Sequence, residues 1–246
     1  MKKLVIANFK MNPVTVAEAS DLAQIYGERV KELEGVEFVA APPFIFLPDV
    51  FKRGIVVAAQ DCFYEDAGAY TGEISPLALK NFGAQYVIIG HSERRKMGET
   101  DEIINKKLQA VWRNGLIPIL CVGETQAEKE TGQKETVLKK QISQVLGNLA
   151  LEIINSQLVI AYEPVWAIGT GLACDPDGAS KTMEFILAEA KKIITNVEIT
   201  MIYGGSVDAN NIKGFLEKPN ISGALVGGAS LKKEEFVKIL EIANSV

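Results

Sequence analysis

Three side chains with different acid–base chemistry each follow a short apolar run of the sequence. Glu163 follows LVIAY, His91 follows YVIIG, and Lys10 lies at the end of KLVIANFK. A carboxylate beside apolar packing is costly unless it is hydrogen-bonded or its pKa shifts, so Glu163 is either a satisfied structural acid or an acid that takes part in chemistry. Structural acids and histidines are common, so no one of these residues decides between the two interpretations.

Two glycine pairs follow the last two apolar runs. The pair Gly204-Gly205 comes directly before Ser206, and the pair Gly227-Gly228 follows GALV. Because glycine has no Cβ, the backbone at such positions can approach a ligand closely and offer N–H donors. The pattern predicts a site for phosphate or another anion, to which Ser206 adds a hydroxyl and Lys10 a positive charge.

Eight short apolar runs recur along the chain, and they are the elements that must position these side chains. They are rich in valine and isoleucine and do not alternate apolar with polar residues. That pattern is typical of strands buried on both faces, as in parallel sheets. The eight runs are KLVIANF, VEFVAA, IVVAAQ, YVIIG, LIPILCV, LVIAYE, ITMIYG and SGALVGG.

Segments with helical periodicity separate several of these runs. One apolar stripe keeps helical spacing at Met183, Ile186, Leu187, Ala190, Ile193 and Ile194. Thr125 and Glu128 have the spacing of a capping box, as do Thr15 and Glu18. The dipeptide Asp175-Pro176 suits a helix N-cap followed by the first helical position.

Eight such β/α units in 246 residues predict one α/β domain, a (β/α)8 barrel spanning residues 1–246. In this fold, chemistry gathers at the C-terminal ends of the strands, where the polar and glycine residues above stand. The alternative is an open doubly wound sheet, whose dinucleotide fingerprint GxGxxG follows a strand directly. Gly169-Thr170-Gly171 continues as Leu-Ala-Cys and begins several residues past its strand, so this alternative is weak.

Composition excludes several classes of function. The net charge of −5 argues against nucleic-acid binding, so an anionic substrate must be attracted by local groups. Three cysteines without a CxxC pair argue against a disulfide framework, and the single histidine argues against a metal site. The N-terminal apolar run is too short for a signal peptide, and no run reaches transmembrane length. We therefore expect a cytoplasmic protein without metal or membrane partner.

Six motifs in order give the chain a resemblance to the triosephosphate isomerase family over nearly its full length. A glycine pair alone is not specific, whereas six ordered motifs are. They are NFKMN at 8–12, IIGHSERR at 88–95, CVGET at 121–125, AYEPVWAIGTG at 161–171, YGGSV at 203–207 and LVGGASL at 225–231.

The resemblance implies interconversion of dihydroxyacetone phosphate and glyceraldehyde 3-phosphate through an enediolate, without a cofactor. Glu163 matches the base, His91 the electrophile that polarises the carbonyl, and Lys10 the cation facing the enediolate. Asn8 lies beside Lys10 in the same motif, and Glu93 matches a supporting acid. The family is itself the usual illustration of a carboxylate base paired with a neutral histidine. The residues that match phosphate contacts are Gly169, Ser206, Gly227 and Gly228.

The segment after Glu163 is similar to the family's lid. Residues 164–166 match its hinge and residues 167–171 its tip, and closure of such a lid excludes water from the reaction. The chain departs from the family at Leu172-Ala173-Cys174, where a lysine usually comes first. Asp61 and Met97 also replace a commoner asparagine and phenylalanine, for which we expect small effects.

A long connection, Asp61 to Ser75, carries Phe63, Tyr64 and Tyr70. It exceeds the usual loop length, and loops of this kind are often functional or interfacial. In the family this loop docks into the neighbouring subunit, so a homodimer is expected. The alternative is a loop that folds onto its own barrel.

Two other functions remain open on the residues alone. Phosphate-site glycines also fit another barrel enzyme for sugar phosphates, such as an epimerase, although the His-Ser-Glu and Tyr-Glu-Pro-Val-Trp motifs argue against it. A non-catalytic phosphate-binding barrel also fits them, but the joint presence of Lys10, His91 and Glu163 argues against that function.

Overall fold

The structure, a computed structural model, describes residues 2–149, 156–168 and 174–246. Strands and helices alternate along the described chain, with three short 3-10 turns at Phe44–Phe46, Val165–Ala167 and Gly228–Leu231. The strands are β1 Lys3–Asn8, β2 Val36–Ala41, β3 Val56–Ala59, β4 Tyr86–Ile89, β5 Ile117–Val122, β6 Ser156–Tyr162, β7 Val197–Tyr203 and β8 Gly223–Val226. The helices are α1 Val16–Val30, α2 Leu47–Phe51, α3 Pro76–Phe82, α4 Ser92–Lys96, α5 Asp101–Arg113, α6 Gln126–Glu130, α7 Lys134–Leu146, α8 Pro176–Lys191, α9 Ile212–Leu216 and α10 Lys233–Asn244.

The strands close into a parallel barrel in sequence order, with β8 paired to β1. This confirms the predicted (β/α)8 barrel. Pairing is uneven around the circle. Between β6 and β7 the paired positions run from Ser156–Val197 to Tyr162–Tyr203. Between β7 and β8 only Tyr203–Ala224 is paired, which is the least of the eight neighbouring pairs.

Burial on both faces explains why the strands do not alternate apolar with polar residues. Leu4 and Ile6 belong to a cluster that fills the barrel, together with inward side chains of the other strands. Val5 and Ala7 belong to a larger cluster between the strands and the surrounding helices. Successive residues of a strand point to opposite faces, so a barrel covered by helices needs apolar residues at both sets of positions.

The predicted helix starts are confirmed. Thr125 and Glu128 form a complete capping box at α6, in which each side chain accepts from the other's backbone N–H. Asp175 caps α8 by accepting from Gly178 N at 2.9 Å, and Pro176 is its first residue. The predicted apolar stripe extends to Ile194, beyond the end of α8 at Lys191. After the helix the chain turns, and the N–H groups of Ile193 and Ile194 both donate to Ala190 O.

Among the described residues, no helix is long and apolar enough to cross a membrane.

Candidate active site

A cavity of about 430 Å³ opens at the C-terminal ends of the strands, within the size range of small-ligand sites. Its walls combine Lys10 after β1, His91 after β4 and Glu163 after β6 with the glycines that follow β7 and β8. Most of the residues that sequence motifs singled out line it together: Asn8, Lys10, His91, Glu163, Ser206, Gly227 and Gly228.

Glu163 reaches this cavity because neighbouring positions lack side chains. A Cβ at Gly204 would lie 2.9 Å from the Glu163 Cγ, and one at Gly123 would lie 1.6 Å from the Glu163 carbonyl oxygen. The Glu163 N–H donates to Val122 O at 2.8 Å, which continues the β5–β6 pairing past the end of β6. Glycine at both positions therefore permits a buried carboxylate at this strand exit.

The two carboxylate oxygens of Glu163 have different surroundings. Oε2 accepts from the backbone N–H of Ser92 at 3.0 Å. Oε1 is buried 3.2 Å from Nε2 of His91, yet no described residue donates a hydrogen bond to it. A buried oxygen without a donor costs stability, and native proteins leave few such atoms. The residue is 1% exposed, so Glu163 is a buried carboxylate with unused accepting capacity that faces the site.

The thiol of Cys121 lies under this carboxylate. Burial raises its pKa well above the usual value, and the charge of Glu163 together with a hydrogen bond to it raises the pKa further. Cys121 is therefore a neutral packing group beside Glu163. The three cysteines are free.

His91 is the N-cap of α4, the short helix that the motif Ser92-Glu-Arg-Arg predicted. Its Nδ1 accepts from the backbone N–H of Glu93 at 3.2 Å. A ring nitrogen that accepts a hydrogen bond carries no proton, so this bond assigns the neutral tautomer with its proton on Nε2. Nε2 is the nitrogen that faces Glu163 and the cavity, and His91 can therefore donate there.

Lys10 adopts a left-handed backbone conformation, with φ of 54°. Such a conformation is uncommon outside glycine and is found where surrounding contacts impose it. Here the Lys10 N–H donates to Asn8 Oδ1 at 3.0 Å, and Gln60 Nε2 donates to Lys10 O at 2.7 Å. Asn8 and Gln60, both at strand exits, thus hold the lysine backbone so that its side chain crosses the mouth of the barrel.

The ammonium of Lys10 pairs with Glu93 at 2.6 Å. Partial burial acts to raise the pKa of Glu93, but the hydrogen bond and charge of Lys10 outweigh it, with a smaller contribution from Lys96. The net result is a Glu93 pKa below its usual range. Glu93 does not line the cavity itself, and it contacts the site through Lys10 and His91.

The two glycine pairs form another part of the cavity wall, which we call the glycine wall. A Cβ at Gly228 would meet no atom within 4 Å, and one at Gly227 would lie 3.2 Å from Lys10 Cε. Gly205 differs, because a Cβ there would lie 2.3 Å from the Tyr203 hydroxyl. Gly228 therefore leaves open space on the cavity side, while Gly205 is required by packing.

The two described ends of the predicted lid are attached to the barrel. Trp166 Nε1 donates to Glu124 Oε1 at 2.8 Å, and the Tyr162 hydroxyl donates to the same buried carboxylate at 3.1 Å. The Ser206 hydroxyl donates to Ala167 O, and Cys174 N donates to the Tyr203 hydroxyl at 3.3 Å. Gly169, the lid residue predicted to contact phosphate, and Leu172-Ala173 lie outside the described residues.

Sequence reasoning missed several residues that belong to the site. Asn12, Asn211 and Lys232 also line the cavity. Asn12 is the last residue of the motif NFKMN, and Lys232 directly follows the motif LVGGASL. The motifs could therefore have predicted that both residues lie at the site. The Ser92 N–H that holds Glu163 carries no signal in the sequence, because any residue type supplies it. Among the described residues, no three His, Cys, Asp or Glu side chains gather as metal ligands would.

The fold and this cavity define a class: a (β/α)8-barrel enzyme in which a carboxylate, an imidazole and an ammonium face a glycine-lined wall at the C-terminal mouth. The family model described as triosephosphate isomerase matches residues 3–243. Two relatives, both named triosephosphate isomerase, are from Dehalococcoides mccartyi strains BAV1 and CBDB1. Each is 45% identical over 248 aligned positions, which cover 97% of this chain and 96% of the relative. The chain belongs to the triosephosphate isomerase family.

Proposed function

We propose that this protein interconverts dihydroxyacetone phosphate and glyceraldehyde 3-phosphate by proton transfer through an enediolate, without a cofactor. Family membership over nearly the whole chain supports the reaction. The proposal depends on one observation: Glu163 and His91 meet at the same cavity. Glu163 has a buried oxygen, Oε1, that accepts no hydrogen bond, and His91 has its proton on Nε2. These are the groups that removing a proton next to a carbonyl requires.

Glu163 is the base that carries the proton between the two carbons of the substrate. Its Oε1 accepts no hydrogen bond in the described structure and lies 3.2 Å from His91 Nε2, whereas Oε2 accepts from the Ser92 N–H. Removal of the proton leaves negative charge on the carbonyl oxygen, and donors aimed at that oxygen in advance lower the barrier most. His91 supplies such a donor through Nε2, and Lys10 supplies a positive charge.

The glycine wall binds the phosphate. Gly227, Gly228 and Ser206 line the same cavity as Glu163, and Lys10 Cε lies beside Gly227. Gly169 completes the phosphate contacts from the lid, and closure of the lid excludes water. Asn8 orients Lys10 through its backbone, and Glu93 orients the Lys10 ammonium.

A coupled assay with glyceraldehyde 3-phosphate tests the function. We expect formation of dihydroxyacetone phosphate without added metal or cofactor. An epimerase would leave this substrate unchanged and act on a longer sugar phosphate. A non-catalytic barrel would bind inorganic phosphate without turnover. Either result would overturn the proposal.

We also propose that the whole chain, 1–246, is one domain and that two copies form a homodimer through the Asp61–Ser75 loop. Within the single chain, side-chain contacts hold this loop against the barrel and against itself. Arg113 donates to Asp66 Oδ1 at 2.9 Å, and Phe63 stacks on Tyr64 with ring centroids 4.1 Å apart. Tyr70 is nevertheless 44% exposed. An ordered loop with exposed aromatic surface is suited to docking on a second copy.

We place the protein in the cytoplasm. Support comes from the unpaired state of its three cysteines and from the metabolic character of the family reaction.

A further inference from the structure

A buried ionic cluster lies behind helix α4, outside the cavity. Its centre is Lys107, whose side chain is 4% exposed. The Lys107 ammonium lies 2.7 Å from Asp61 Oδ1 and 2.8 Å from Asp61 Oδ2, and it also pairs with Glu99. We call these residues and Arg94, which joins them from α4, the Asp61 cluster.

Arg94 connects the cluster to the active site. Its Nε lies 2.7 Å from Asp61 Oδ2 and 3.3 Å from Glu99 Oε1. Arg94 belongs to α4, whose first residues supply His91 as N-cap, the Ser92 N–H that holds Glu163, and Glu93, which holds Lys10. One short helix therefore touches all three groups proposed to perform the chemistry.

Helix α4 has five residues, too few for its own backbone bonds to fix its position. Besides its connection to β4 through Gly90 and His91, side-chain contacts hold it in place. On one side, Arg95 donates to Gly90 O at 2.8 Å and pairs with Asp101 at 2.6 Å. On the other side, the described tether is Arg94 to the Asp61 cluster.

We propose that Asp61 is a positioning residue for the reaction, which acts through Arg94 to set the place of α4 and with it His91 and the Ser92 N–H. The inference rests on the proposed function. It also replaces the earlier expectation that aspartate in place of asparagine has a small effect at this position.

Charge balance explains why an asparagine is not equivalent. The Asp61 cluster contains two cations, Lys107 and Arg94, and two carboxylates, Asp61 and Glu99. An amide at position 61 leaves two cations facing one carboxylate and places N–H donors among them. Lys107 is buried and cannot leave. The Arg94 side chain is 40% exposed and can turn to water, so the 2.7 Å contact between Arg94 and position 61 is lost and the tether of α4 is reduced to the 3.3 Å contact with Glu99.

Asp61→Asn tests the proposal in the intact protein. Displacement of catalytic groups by a fraction of an ångström lowers kcat, so we expect a fall of about 3-fold to 30-fold. Inhibition by inorganic phosphate should be unchanged, because Ser206, Gly227 and Gly228 follow β7 and β8, and the Lys10 backbone keeps its bonds to Asn8 and Gln60. Folded protein is quantified by circular dichroism, so that kcat refers to folded molecules only. Glu241→Gln is the matched control, since Glu241 is another carboxylate bound by an arginine, Arg29, between α1 and α10. We expect it to keep the wild-type kcat.

A double-mutant cycle with Arg94→Gln separates positioning from a general structural role. If Asp61 acts through Arg94, Asp61→Asn lowers kcat in the wild-type background and adds no further loss in the Arg94→Gln background. An unchanged kcat in Asp61→Asn overturns the proposal, and so does an equal loss in both backgrounds. If Asp61→Asn does not fold, Arg94→Gln alone decides: a lower kcat with unchanged phosphate inhibition supports the proposal, and a wild-type kcat overturns it. An inactive wild-type protein would refute the proposed function instead.

Discussion

At the scale of single residues, the site is defined as much by missing side chains as by those present. Gly123 and Gly204 leave the space in which Glu163 sits, and Gly228 leaves the space that a ligand group can enter. The carboxylate that results is buried and bonded to the Ser92 N–H and the Cys121 thiol, while its Oε1 accepts no hydrogen bond. That arrangement has an energetic cost in the resting protein, which is consistent with a group kept for chemistry rather than for stability.

Glu163→Gln is expected to lower kcat by about 10²-fold to 10⁴-fold, because the amide keeps the shape and removes the proton acceptor. The thermal midpoint should stay close to the wild-type value or rise, since a buried charge is removed. Steady-state kinetics and a melting curve measure both quantities. Near-normal turnover in this variant would exclude Glu163 as the base.

The pair of Lys10 and Glu93 predicts a pH dependence of stability. The pKa of Glu93 is lower in the folded protein than the unfolded value of about 4.3. Between the two pKa values the unfolded chain binds more protons, so the contribution of the pair is complete above about pH 4.3 and is lost as pH falls through the folded pKa. Glu93 is almost half exposed, so the effect is small.

Urea midpoints of wild type and Glu93→Gln, measured from pH 3 to pH 6, check this prediction. The wild type should be the more stable of the two above about pH 4.3, and the difference should shrink toward pH 3. A difference that grows as the pH falls would contradict the assigned sign.

At the scale of elements, the turn after β8 controls access to the phosphate position. Gly228→Leu is expected to raise KM for glyceraldehyde 3-phosphate and the inhibition constant of inorganic phosphate by about tenfold or more, because the new side chain projects into the cavity. Its stability should change little, since a Cβ at Gly228 meets no atom within 4 Å. Gly205→Ala provides the contrast: its Cβ would lie 2.3 Å from the Tyr203 hydroxyl, so it should lower the melting temperature. Unchanged phosphate affinity in Gly228→Leu would place the phosphate elsewhere.

The elements themselves were predictable from sequence, because they depend on local patterns. A short stretch of sequence is enough to recognise an apolar run buried on both faces or a capping residue such as Thr125. The structure confirms these predictions. The tethers of α4 were not predictable. Asp61, Arg94 and Lys107 are separated along the chain and meet only because β3, α4 and α5 become neighbours when the barrel closes. The resemblance identified the residues that do chemistry, but a local pattern carries no information on what holds them.

At the scale of the whole molecule, the proposed homodimer depends on the exposed part of the Asp61–Ser75 loop. Tyr70→Asp is expected to raise the dimer dissociation constant by about tenfold or more, because a charge replaces an aromatic ring at a desolvated contact. Sedimentation at several protein concentrations measures it. Ile193→Asp is the control, since Ile193 is also an exposed apolar residue, 38% exposed, but follows α8. A wild-type protein that stays monomeric at assay concentration would refute the dimer.

The uneven pairing around the barrel has a consequence for local opening. The boundary between β7 and β8, paired at Tyr203–Ala224 with one further hydrogen bond from the Ser222 N–H to Met201 O, should open at a lower free energy than the long β6–β7 pairing, and its amide protons should exchange faster with solvent. The glycine wall spans this same boundary, with Ser206 beyond β7 and Gly228 beyond β8. An anion bound between Ser206 and Gly228 would contact both sides of this boundary and stabilise it. Hydrogen exchange in β8 should therefore slow when inorganic phosphate is added, while exchange in β6 stays the same. The bound ligand would then stabilise the strand boundary that has the fewest paired positions in the barrel.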